Sequence, residues 1–126
     1  MSLTNVQLAR QAYEAVARGD LHGLRAFLDP DVKWHGGDPS AAGSCHTREQ
    51  ALQYVRDARL RRSVGELVEV VDAGGDKVVV ILRPASGTGT RVGLTANVTT
   101  FRDGKAIEIV HYPNPDDALS AAGIKR

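Results

Sequence analysis

Apolar residues recur at helical spacing from the start of the chain: Val6, Ala9, Tyr13, Val16 and Ala17 share one side of a helix. Thr4 and Gln7 precede that stripe at the spacing of a capping pair, in which each side chain satisfies a free backbone N–H of the first turn. Gly19-Asp20 stops the pattern. Asp20 can cap a second short helix with Leu21, Leu24, Phe27 and Leu28 on its apolar side, and Pro30 is expected to end it. Val32 to His35 then alternates as a strand, with Val32 and Trp34 facing one way and Lys33 and His35 the other. Gly36 to Ser44 has the Gly/Pro/Ser/Asp content of a loop. A third helix begins at Thr47, capped against Gln50, with the stripe Ala51, Tyr54, Val55 and Ala58. Arg56, Arg59, Arg61 and Arg62 continue from it, as cations do at a helix C-terminus, though a phosphate or acidic partner could also sit there.

The rest reads as sheet and a final capped helix. Leu67 to Val71 and Val78 to Leu82 are joined by Asp72-Ala-Gly-Gly-Asp76, a hairpin signal. The unbroken Val78-Val-Val-Ile-Leu82 implies a central strand covered on both faces. Pro84 to Thr90 is a loop whose glycines match no phosphate-binding pattern. The last hairpin turns at Asp103-Gly104, a two-residue turn that sets register. With a regular ladder, Phe101 lies opposite Ala106, Val98 opposite Ile109 and Ala96 opposite His111. Alternation then places Val92, Leu94, Ala96, Val98, Thr100, Ile107, Ile109 and His111 on one face. Thr95, Asn97, Thr99, Glu108, Val110 and Tyr112 fall on the other, a face mixed enough to meet water or a partner subunit. His111 is then a lone titratable group on an apolar face.

Length and composition narrow the functional classes. A chain of 126 residues fits a single domain, 1–126, around one core. With 16 basic against 15 acidic residues there is no global field towards nucleic acid or an anionic membrane. Aromatic residues are few and show no base-stacking pattern. No apolar stretch is long enough to span a membrane and no secretory signal is evident, so the expected compartment is the cytoplasm. Cys45 is the only cysteine, which excludes an internal disulfide. His35, His46 and His111 lack close ligand spacing, so no metal is expected. Cys45 lies beside His46 with no third orienting group, which argues against nucleophilic chemistry.

The chain resembles the nuclear transport factor 2-like superfamily in its SnoaL-like, ketosteroid isomerase-like branch. The matching residues are Tyr13, Gly19-Asp20, Leu24, Phe27-Leu28, Pro30-Asp31-Val32, Trp34 and Glu49-Gln-Ala51. Phe101-Arg-Asp-Gly-Lys105, Ala118-Leu119 and Ala122-Gly123-Ile124 continue the match, which covers nearly the whole chain. The resemblance implies an α+β, cystatin-like cone: a curved, mostly antiparallel sheet wrapped around N-terminal helices, with a pocket at its open end. It also implies a homodimer through the sheet. It is informative about fold and poor about function, because the superfamily holds isomerases, cyclases, epoxide hydrolases and binding modules.

Carrying over family site residues mostly yields departures. Ketosteroid isomerase-like members place a general-base Asp at the end of the first strand, but the matching position here falls at or near Gly36. Tyr13 lies near their oxygen-donating Tyr on the first helix. SnoaL-like cyclases place an acid/base residue on the last strand, where this chain has His111. The Asp-Arg-Asp set of the epoxide hydrolases has no counterpart. The expected site is an apolar pocket at Tyr13, Trp34, Tyr54 and His111, also lined by Val55, Ala96, Val98 and Ile109. Three readings remain open at this point. One is a cofactor-independent isomerase or cyclase in which His111 transfers a proton on an apolar carbonyl compound and Tyr13 donates. The second is a module that binds an apolar small molecule without chemistry. The third is an interaction module whose cavity is filled by side chains such as Trp34 and Tyr54.

Overall fold

A computed structural model describes residues 4–61, 65–83 and 93–124. Arg62, Val92 and the 84–90 loop of the sequence analysis lie outside the described residues. The element order is α1 (Asn5–Ala17), α2 (Leu21–Phe27), β1 (Leu28–His35), α3 (Arg48–Leu60), β2 (Glu66–Asp72), β3 (Lys77–Arg83), β4 (Thr95–Arg102), β5 (Lys105–Tyr112) and α4 (Pro115–Ala121). The strands form one open sheet in the order β1-β5-β4-β3-β2, with β1 parallel to β5 and the other pairs antiparallel. The fold is the expected α+β arrangement on a curved sheet.

Local chemistry accounts for the helix ends. Thr4 Oγ1 accepts from the Gln7 N–H at 3.1 Å and Gln7 Oε1 accepts from the Thr4 N–H at 2.9 Å, a complete capping box on α1. Asp20 Oδ1 accepts from the His22 and Gly23 N–H groups on α2. Thr47 does the same for Gln50 on α3, and Asn114 for Asp117 on α4, where Pro115 occupies the first turn. Gly19 leaves α1 at φ +82°, a left-handed conformation that suits glycine. The Arg59 guanidinium of α3 packs on that glycine and donates to the Val16 carbonyl. One member of the arginine cluster is thus a cap on the end of another helix.

The two faces of the sheet carry separate apolar clusters. The inner face, with Val32, Val70, Val78, Val80, Phe101 and Ile109, packs under Ala9, Ala12 and Val16 of α1, Leu24 and Phe27 of α2, and Ala51, Leu52 and Val55 of α3. Phe27 and Phe101 meet edge to face at 5.5 Å. The outer face holds Val79, Ile81, Ala96 and Val98 beneath Ala118 and Leu119 of α4. β3 is covered on both faces as expected, with Val78, Val79 and Val80 fully buried.

Three expectations need correction. Pro30 does not end α2: the helix stops at Phe27, and β1 already begins at Leu28, with Pro30 inside an irregular stretch of its pairing with β5. An irregular edge position tolerates the missing N–H. Tyr54 is not a buried stripe residue of α3. It is 51% exposed, its place in the core taken by Leu52.

The third correction matters most for the site. The Asp103-Gly104 turn forms as expected, with Phe101 opposite Ala106, but the ladder shifts by one between Thr100 and Phe101. Ile107 is the extra residue of a bulge. Beyond it Thr100 pairs with Glu108, Thr99 with Ile109, Val98 with Val110, Asn97 with His111 and Ala96 with Tyr112. Ala96 and Val98 therefore lie on the outer face, whereas Asn97 and Thr99 share the inner face with Ile109 and His111. Asn97 is 3% exposed and Thr99 fully buried, so that part of the ribbon meets neither water nor a second subunit.

Candidate functional site

The inner face brings Tyr13, Asn97 and His111 into one hydrogen-bonded chain. Asn97 Nδ2 donates to the Tyr13 phenol oxygen at 3.0 Å. Asn97 Oδ1 lies 3.0 Å from His111 Nδ1. α1 delivers the tyrosine, β4 the asparagine and β5 the histidine, so three separate elements converge. The β4–β5 register holds the latter two side by side. Thr99 Oγ1 is buried near enough to the phenol to favour its ionisation, yet makes no hydrogen bond of normal geometry.

Burial sets the ionisation of both ends. The Tyr13 phenol is pushed up to about 12 by desolvation, which outweighs the opposing influence of the Asn97 hydrogen bond and of nearby Thr99. It is a neutral donor throughout the physiological range. Desolvation holds His111 below its ordinary value of 6.5, although the residue keeps an exposed edge to solvent. At neutral pH its imidazole is uncharged and can accept a proton.

The phenol shift has a measurable consequence for stability. Between the unfolded value of 10.0 and the folded value of about 12, the unfolded chain releases a proton that the native state keeps. Native stability should therefore fall as pH rises through this window, by something on the order of 2 kcal/mol. Tyr13→Phe should abolish that contribution. In urea denaturation, the stability difference between wild type and Tyr13→Phe should be constant below pH 10 and shift in favour of the variant above it. A difference that stays flat would show the phenol to be solvated.

The remaining expected site residues divide. Trp34 pairs with Ile109 across β1 and β5, joins the inner cluster and meets the Tyr54 ring at a centroid distance of 5.9 Å. Val55 and Ile109 are buried in that same cluster. Ala96 and Val98 are not part of it. Asn97 was missed in the sequence because a regular ladder places it on the wrong face. Phe101 carried the missing signal, since a large aromatic in phase with Asn97 and Thr99 marks their face as the core side.

Other titratable groups sit apart from this chain. His35 faces the outer side, nearly buried, with Nε2 3.1 Å from Glu108 Oε2 and Nδ1 accepting from the Gly37 N–H at 3.0 Å. Cys45 is buried against β1 through a two-bond bridge to Trp34, and burial raises its thiol, the wrong direction for a nucleophile. Among the described residues no group of three His, Cys, Asp or Glu side chains could hold a metal ion. A groove of about 450 Å³ opens between α1 and α2, lined by Leu8, Gln11, Arg18, Asp20 and Phe27 among others; Tyr13, Asn97 and His111 do not line it. No helix among the described residues is long and apolar enough to cross a membrane.

The α+β fold is shared with solved structures of several nuclear transport factor 2-like proteins. Residues 9–109 match the SnoaL-like domain, and the chain belongs to that family. Bal32a, from a soil-derived mobile gene cassette, is similar at a TM-score of 0.70 and 22% identity, over 86% of this chain and 87% of that one. A nuclear transport factor 2-like protein of unknown function from Burkholderia pseudomallei aligns at 0.65 and 23% identity, over 94% and 97% of the two chains. A candidate polyketide cyclase from Sinorhizobium meliloti aligns at 0.67 and 20% identity, over 83% and 93%. At these identities the likeness concerns the fold. No curated protein sequence matches the chain.

Proposed function

We propose that the protein is a cofactor-independent enzyme of the isomerase or cyclase type, moving a proton on an apolar, carbonyl-bearing small molecule. The observation that carries this reading is the Tyr13–Asn97–His111 chain, which pairs a neutral phenol donor with an uncharged imidazole. In this scheme His111 takes a proton from the carbon next to the carbonyl. The electron pair moves onto the carbonyl oxygen, where the Tyr13 hydroxyl stabilises the developing charge. His111 then returns the proton to the same or a conjugated carbon, or the enolate carbon attacks a second carbonyl in a ring closure and the alkoxide so formed takes the proton back from His111. The apolar inner cluster around Trp34 and Ile109 suits an uncharged, hydrophobic substrate. A homodimer through the sheet belongs to the same reading, on the strength of the family resemblance alone.

The test is proton exchange in deuterated water. Steroid ketones, aromatic polyketides and cyclic enones would be incubated with the protein and followed by proton NMR. The expected result is loss of the α-proton signal of at least one class well above the buffer rate. Saturable binding with no exchange in any class would overturn the enzymatic reading in favour of a binding module.

A further inference from the structure

We infer that Asn97 is a positioning residue, setting which His111 nitrogen carries the proton and which way the Tyr13 hydroxyl points. The inference rests on the site reading above but concerns the protein without substrate. A carboxamide oxygen offers only lone pairs, so at 3.0 Å from Asn97 Oδ1 the His111 Nδ1 has to be the donor. A neutral imidazole has one N–H, and with that hydrogen committed to Asn97, Nε2 is left as a bare lone pair. At the other end Asn97 Nδ2 fills an acceptor site of the Tyr13 oxygen at 3.0 Å. The phenol's own hydrogen is thus directed away from the amide. One side chain therefore presents a base at Nε2 and a donor at Tyr13, each in the state proton transfer requires.

The identity and setting of residue 97 fit this role. A carboxylate could accept from His111 but has no hydrogen for Tyr13, and an apolar side chain could do neither. Asn97 is 3% exposed and held in β4 between Val80 of β3 and His111 of β5, so its backbone is fixed on both sides while its amide is held by Tyr13 and His111. Asparagine is otherwise disfavoured in a central strand.

The experiment is nitrogen-15 NMR of the histidine rings in the whole protein, at a pH where His111 is uncharged. Wild type should show a protonated Nδ1 and an unprotonated Nε2, the reverse of the form free histidine prefers. Asn97→Leu should lower the Nδ1-protonated share severalfold, whereas Asn97→Asp should retain it. Should the leucine variant fail to fold, the wild-type and aspartate spectra decide the matter. Wild-type His111 protonated on Nε2, or a leucine variant with an unchanged pattern, would overturn the inference. Because no substrate is involved, such a failure would leave the proton-transfer reading to the exchange assay, and a failed exchange assay would leave the tautomer result standing.

Discussion

His111→Gln is expected to slow the exchange of a responsive substrate by about 10²–10⁴-fold, the range a positioned general base contributes. Glutamine keeps a polar group within reach of Asn97 but offers no nitrogen that can accept a proton at neutral pH. His111 retains a solvent-exposed edge and lies outside both apolar clusters, so the melting temperature should change little. The pH profile supplies an independent check. Desolvation places His111 below 6.5, so the wild-type rate should rise with pH through a midpoint under that value and then level off. The variant should lose that limb along with the rate. Retained turnover in a folded His111→Gln protein would remove the histidine from the mechanism, whatever the substrate.

The site depends on a detail of pairing that residue types alone do not reveal. Three helix starts were legible because each is written locally: Thr4 with Gln7, Asp20 before Leu21 and Thr47 with Gln50 lie within a few residues of what they cap. β3 was legible from its unbroken apolar run, and the final turn from Asp103-Gly104. The bulge at Ile107 is different in kind. It costs no special residue, and its effect appears only when two strands are compared: Ala106 and Ile109, three apart, both face the inner cluster, which a regular strand does not allow. A one-residue slip moves every later side chain to the other face. A regular ladder puts Ala96 and Val98 in the expected pocket and leaves Asn97 out of it, whereas the bulge does the reverse. His111 and Tyr13 were individually identifiable; the amide that joins them was not.

Ile107 and Ile109 allow the register to be tested energetically. In a regular ladder the two would share a face and lose comparable stability on truncation. In the structure Ile109 is fully buried between Trp34 of β1 and Thr99 of β4, whereas Ile107 is half-buried at the bulge. Ile109→Ala should therefore lower stability by about 2–5 kcal/mol, combining lost apolar burial with a cavity that the surrounding helices close only in part. Ile107→Ala, removing less buried surface from a site open to relaxation, should cost roughly 1 kcal/mol. Urea unfolding of the two variants, followed by tryptophan fluorescence from Trp34, would give both values. Equal losses would mean that β5 pairs without the bulge. His111 would then face away from Asn97, and the proton-transfer site would lose its central contact. A large loss confined to Ile109 ties the stability of the inner face to the same register that assembles the candidate site.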